Sequence, residues 1–244
     1  MTEKSSEIPP LDELLDMNDW DPRMKEWYDN CNSLRILVVG RSRVGKSTFI
    51  NAMFGGEDLA PVAQGREPTT MVVKSYQQRA GGVTLNFFDS PGLQNGSESD
   101  DKYTSDMRET CKVVNLLLYC TRMDSQIRED DFRTIELISR ALGKEIWKHA
   151  ICVLTQGNQV EPISKSQGTP REYFNRIFYA MKEKVQRHFK GELGIEIPVV
   201  VAGHPLRTQL PVCDDWRTKV LQKAIEKSYD EGAIAILKSN CNLY

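Results

Sequence analysis

The 244-residue sequence lacks any apolar run close to the roughly 20 residues needed to span a bilayer, so no transmembrane segment is expected. Its first ten residues carry no apolar core of the kind a secretory leader needs. An excess of basic charge is missing too: 32 Lys and Arg stand against 34 Asp and Glu, for a net charge of −2. Without that excess there is no electrostatic case for nucleic acid as a partner. The six cysteines (Cys31, Cys111, Cys120, Cys152, Cys213, Cys241) show no C-x-x-C spacing. Cys120 and Cys152 fall inside apolar runs, where a reduced thiol behaves as a small hydrophobe, so a reducing compartment is expected. The terminal Cys241-Asn242-Leu243-Tyr244 has a polar Asn242 where a prenylation box takes an aliphatic residue. Internal repeats are absent as well. These absences point to a cytoplasmic chain, with peripheral attachment to a membrane left open.

What is present is a hydrophobic content of 40%, enough for one large α/β domain with short terminal additions. Residues 1–10 are polar and end in Pro9-Pro10, which reads as a disordered tail. Within a helical extension at 11–33, apolar residues from Leu11 to Trp27 recur at near-helical spacing, interrupted at Asp21-Pro22. One or two short helices packed on the domain are expected there, with a partner-binding helix as the alternative. The domain itself covers 34–230, and 231–244 is a tail whose apolar stretch 232–237 can fold back onto the body. Strands are expected at 34–39, 71–78, 83–89, 115–120, 150–155 and 197–202. Helices are expected at 46–54, 103–113, 129–142, 170–189 and 216–227, the last capped by Asp214-Asp215. Only the pair 71–78 and 83–89, joined by a turn at Gly81-Gly82, should be antiparallel. Six strands with interleaved helices make a three-layer α/β sheet.

Gly40-Arg41-Ser42-Arg43-Val44-Gly45-Lys46-Ser47 fits G-x-x-x-x-G-K-[ST], with a buried strand before it and a helix after it. The glycines let the loop curl so that its N–H groups, and that of Thr48 beyond, face phosphate oxygens. The helix adds the partial positive charge of its N-terminus. Lys46 is placed to bridge the outer phosphates of a nucleoside triphosphate, and the Ser47 hydroxyl to ligate Mg²⁺. Asp89-Ser90-Pro91-Gly92, at a strand end, fits D-x-x-G. There Asp89 would hold Mg²⁺ through a water and the Gly92 N–H would sense the terminal phosphate. Thr69-Thr70 lies between the two motifs, just before a strand. One of these threonines is expected to ligate Mg²⁺ and complete the catalytic set; Thr69 is preferred, with the register open.

The segments G-R-S-R-V-G-K-S-T-F-I-N-A-M-F-G, F-F-D-S-P-G-L, L-L-L-Y-C-T-R-M-D and I-W-K-H-A-I-C-V-L-T resemble the AIG1/Toc group of P-loop GTPases. That group includes the immunity-associated nucleotide-binding proteins and the chloroplast outer-envelope import receptors. The resemblance runs over 34–202. It implies a three-layer P-loop GTPase fold, with a six-stranded, mostly parallel sheet containing one antiparallel strand. It also implies Mg²⁺ with GTP or GDP as the bound group, hydrolysis of GTP to GDP, and GTP-dependent homodimerisation through the nucleotide face. A further protein partner is not identified by the sequence.

Three departures qualify that resemblance. Where most GTPases read guanine with N/T-K-x-D, this chain has Thr155-Gln156-Gly157-Asn158, and an amide at Asn158 accepts without charge assistance. His204, in Ala202-Gly203-His204-Pro205, is positioned to stack on or bond the base, or is a surface-loop histidine. The residue after D-x-x-G is Leu93, which cannot orient an attacking water, so intrinsic turnover should be slow. Arginine is the usual source of transition-state charge: Arg43 in the loop is the candidate acting in cis, while Arg122 and Arg128 flank the Met123-Asp124 turn. The leading reading is a slow GTPase switched by dimerisation, and the alternative is a GTP-bound scaffold that does not hydrolyse. An ATPase or kinase is disfavoured by the Asp89–Gly92 motif and the antiparallel second strand.

Overall fold

A continuous apolar run such as Ile36–Val39 fits a strand only where both faces are covered, and β1 (Ser33–Val39) takes that place, with Leu37, Val38 and Val39 fully buried. The computed structural model describes residues 22–31, 33–55, 59–60, 73–80, 83–92, 104–109, 113–124, 129–204, 207–230 and 235–236. β1 is flanked on both sides by parallel neighbours, β3 (Val83–Asp89) and β5 (Leu116–Arg122). β2 (Lys74–Ala80) runs antiparallel to β3 at one edge, with exposed and half-buried residues alternating along it as an edge strand requires. Beyond β5 lie β6 (Ala150–Thr155) and β7 (Val199–Val201), both parallel, giving the order β2-β3-β1-β5-β6-β7.

The helices form the outer layers. They are α1 (Pro22–Asn30), α2 (Lys46–Met53), α3 (104–109), α4 (Glu129–Leu142), α5 (Pro170–Leu193) and α6 (Trp216–Asp230). α2 and α6 meet through Phe49 and Trp216, whose ring centroids are 6.0 Å apart. α4 and α5 meet where Phe132 stacks on His188 at 3.8 Å. Tyr119 of β5, Phe189 of α5 and Trp147 pack edge to face beneath that pair. Local signals agree with these boundaries. Pro22 opens α1 at the position where its missing N–H costs nothing. Thr169 and Glu172 form a reciprocal capping box at the start of α5, and Gly194 ends it at φ 68°. Asp215 caps α6 by accepting from the Arg217 N–H at 2.8 Å.

From β1 the chain steps to β3 on one side, then crosses back to β5 on the other. Right-handed crossovers therefore send the helices to opposite faces and open a crevice at the C-terminal end of β1. All five parallel strands present their C-terminal ends there.

Several boundaries differ from the sequence expectation. β5 begins at Leu116 because Asn115 is diverted: its side chain accepts from the Arg35 N–H at 2.7 Å and its own N–H donates to the Arg35 carbonyl. α5 continues past 189 to Leu193, since Gly191 lies inside the helix and only Gly194 leaves it. β7 is three residues rather than six. A 3₁₀ helix, Lys144–His149, precedes β6 where nothing was anticipated. Of the expected helix at 103–113, the described residues 104–109 are helical, while Val113 lies instead in β4 (Val113–Val114), which pairs antiparallel with β8 (Ala235–Ile236). The apolar stretch near 235 thus does return to the body. The expected tail 1–10 and most of the preceding helical extension lie outside the described residues. Cys31, Cys120, Cys152 and Cys213 are free thiols. Among the described residues no helix is long and apolar enough to cross a membrane.

Arg217 has no exposed side-chain surface and is held by Asp215 at 2.7 Å. Replacing Asp215 with Ala strands that buried cation and removes the cap of α6. The Asp215→Ala variant should lose about 3–5 kcal/mol of stability, read as a lower denaturant midpoint.

Candidate functional site

The loop leaving β1 is built on two unusual backbone conformations. Gly45 stands at φ 91° as the N-cap of α2, with no side chain capping the helix. A residue with a Cβ is strained in that conformation, and the uncapped first turn leaves N–H groups facing the loop. Arg43 sits at φ 64°, and the only other non-glycine residue with positive φ among the described ones is Gln156, at 62°. Left-handed backbone costs an L-residue about 1–2 kcal/mol and tends to persist where a site over-determines it. Both residues belong to sequence-predicted site loops.

Inside the loop, Lys46 is buried and its Nζ donates to the carbonyls of Gly40 and Arg41, each at 3.2 Å. Burial lowers the Lys46 pKa, and the nearby Asp89 carboxylate partly restores it. Ser47 Oγ donates to Asp89 Oδ2 at 2.7 Å, and Asp89 is fully buried at the end of β3. Gly92 then presses on the loop: a Cβ there would overlap Ser42 Cα and come within 2.8 Å of the Ser42 nitrogen. Hydroxyl and carboxylate oxygens are the donors that hard divalent cations such as Mg²⁺ take. A curled loop with a buried ammonium beside a helix N-terminus suits phosphate. The residues present therefore fit a phosphate with its cation.

The loop after β6 leans on the same structure. The Thr155 hydroxyl donates to the Val44 carbonyl and lies 3.2 Å from the Thr121 carbonyl, joining β5, β6 and the phosphate loop. Gln156 lies over Gly45, its Nε2 at 3.4 Å from where a Cβ would be. The Gly157 N–H donates to Ala202 O at 2.9 Å, tying this loop to the one after β7. Asn158, in the short 3₁₀ turn Gly157–Gln159, is half-buried, and its Oδ1 is shielded from solvent with no hydrogen bond. His204 is exposed and its carbonyl accepts from Arg207 N at 3.0 Å.

The structure thus brings together Gly40 to Thr48, Asp89, Gly92, Thr155, Gln156 and Asn158 at one end of the sheet. Arg41 belongs to the loop by its backbone only, since its guanidinium turns 3.7 Å from the buried Asp131 of α4. Arg43 is exposed. Arg122 is clamped by Asp124 through two hydrogen bonds, at 2.8 and 2.5 Å. Thr69, Thr70, Leu93 and Arg128 lie outside the described residues. Sequence reasoning missed the Arg41–Asp131 pair and a clamp between Asn51 and the backbone of Ala60, with bonds of 2.8 and 2.7 Å. A polar Asn51 in the apolar run of α2 was the one available signal for the clamp.

Comparison with known proteins follows the same geometry. The AIG1 family model matches residues 34–188. Translocase of chloroplast 159 from Arabidopsis thaliana is 30% identical over 212 residues, covering 78% of this chain but 14% of its own length. This chain therefore spans only a small part of that relative. Toc33 from Arabidopsis thaliana in complex with Mg²⁺ and GMPPNP superposes with a TM-score of 0.70 at 21% identity, over 86% of this chain and 90% of that one. A structure of the chloroplast translocon components atToc33 and psToc159, whose dimerization is important for their GTPase activity, gives 0.62 at 23% identity, over 84% and 86%. At these identities the likeness shows the fold.

Substituting Thr155 with Val keeps the shape and deletes the hydroxyl that satisfies the Val44 carbonyl. Thr155→Val should destabilise the fold by about 1–3 kcal/mol, measured by urea unfolding.

Proposed function

With more than half of its length matched, the chain belongs to the AIG1 family, and we propose that it binds GTP with Mg²⁺ and hydrolyses it slowly to GDP, with two copies pairing across the nucleotide face. The observation that carries this reading is the contact between Ser47 Oγ and Asp89 Oδ2 at 2.7 Å, beside a buried Lys46. Among P-loop proteins a serine of the loop and an acidic strand end hold the ion together. When bound, Mg²⁺ would neutralise charge on the phosphates; Ser47 and Asp89 are the residues to hold it, with Thr69 as the third.

Lys46 does its part by exchanging partners. Its Nζ rests on two neutral carbonyls, and phosphate oxygens are stronger acceptors because they are charged. Gly92 lies against the loop, so its N–H is near the position of a terminal phosphate. Leu93 cannot align water, which leaves the rate dependent on fixed positive charge. Arg43 supplies that charge in this reading: its backbone is already left-handed within the loop, and cover from a second copy would turn it toward the γ-phosphate. Support for pairing comes from the Toc33 and Toc159 components, whose GTPase activity dimerization affects. Leu93 also favours a second reading, a GTP-bound scaffold without turnover.

Two measurements check the proposal. Lys46→Ala should weaken binding of a fluorescent GTP analogue by at least about 100-fold, with the fold intact by circular dichroism. Single-turnover hydrolysis should rise with protein concentration, and Arg43→Ala should cut that rise by about 10³. A rate independent of concentration supports the scaffold instead.

A further inference from the structure

Two cations of the phosphate loop each have a buried carboxylate close by, and the two carboxylates come from different elements. Lys46 feels Asp89 at the end of β3, and Arg41 has Asp131 of α4 at 3.7 Å from its Nε. Asp89 belongs to the expected phosphate and cation site. Asp131 stands to one side, outside the residues expected to touch either group. It is only 2% exposed, and a carboxylate taken out of water is costly unless its charge is met.

Asp131 is itself firmly held. As the third residue of α4 it lies where a helix N-terminus favours negative charge. Its carbonyl accepts from the Tyr119 hydroxyl at 3.1 Å, and its Oδ1 lies 3.4 Å from the Thr121 hydroxyl. The far end of α4 is tied as well, because Arg108 of α3 donates to the carbonyls of Ala141 and Arg140 at 2.7 and 3.0 Å. A group that positions another needs a rigid support of this kind.

Arg41 carries the effect into the site. Its guanidinium goes to Asp131, while its carbonyl accepts from Lys46 Nζ at 3.2 Å. On one side of it Gly40 lies so close to β5 that a Cβ would overlap Cys120 O, and on the other Ser42 is covered by Gly92. The Arg41 side chain is the tether to α4 in this half of the loop, whose carbonyls hold the Lys46 ammonium.

We infer that Asp131 is a positioning residue for nucleotide binding: through Arg41 it holds the first half of the phosphate loop in the shape that receives phosphate. The inference rests on the reading of this loop as a nucleotide site, and it gives Asp131 no contact with the nucleotide.

The test separates positioning from stability. Exchanging both members of a buried ion pair for apolar groups of similar size often leaves a fold as stable as before. The double variant Arg41→Met/Asp131→Leu should keep the urea midpoint of the parent chain. It should nevertheless bind GTP and GDP, each with Mg²⁺, about tenfold more weakly in competition with a fluorescent nucleotide, because the loop is no longer preorganised. Asp131→Asn alone should show the same loss in its folded fraction, and it decides the matter if the double variant does not fold. Undiminished affinity in a folded double variant or in Asp131→Asn overturns the inference while leaving the proposed function standing. Failure of the parent chain to bind either nucleotide overturns both.

Discussion

The contact between the Ser47 hydroxyl and the Asp89 carboxylate holds the rest of the site in register. It joins the first turn of α2 to the end of β3, two elements forty-two residues apart in the chain. Asp89 has no exposed surface, and a buried carboxylate without charge or hydrogen-bond partners is among the costliest groups in a protein. Lys46 and Ser47 meet that demand from the phosphate loop. Because β1 and β3 pair from Ser33–Thr84 to Val38–Asp89, the sheet delivers Asp89 to that loop, and Gly92 then comes to rest against Ser42.

Around this contact, rigidity and strain are distributed unevenly. The sheet beneath is fully buried from Ala150 to Thr155, whereas among the described non-glycine residues left-handed backbone occurs at Arg43 and Gln156 above it. The Thr155 hydroxyl, the Arg41–Asp131 pair and the Gly157–Ala202 bond tether the strained segments to the sheet and α4. Such tethers hold costly conformations in place. They also explain how the loop after β6 keeps its shape without lysine at 156 or aspartate at 158: Thr155 and Gln156 lean on the loop after β1, and Gly157 is bonded to Ala202.

Much of the fold was legible in the residue pattern because its causes are local. The continuous apolar runs at β1, β5 and β6 could only be central strands. The bounds of α4 and β6 agree with expectation to the residue, since α4 has a clean helical period and β6 is an apolar run closed at both ends by polar residues. The phosphate loop and Asp89–Gly92 were readable because backbone chemistry demands particular residues at particular spacings. Where reading failed, a distant partner had overridden local preference. Asn115 left β5 for Arg35, and Val113 left an expected helix end to pair with Ile236.

The sequence by itself determined the α/β class, the phosphate loop, its acidic partner at Asp89 and the altered base motif, all of which follow from residue type and local spacing. Tertiary structure alone decided that Arg41 turns away to Asp131, that Arg122 is clamped by Asp124, and that Thr155 reaches back 111 residues to Val44. Side chains of this length have many reachable partners, and which one prevails depends on charges and carbonyls that only the packed sheet brings within bonding distance.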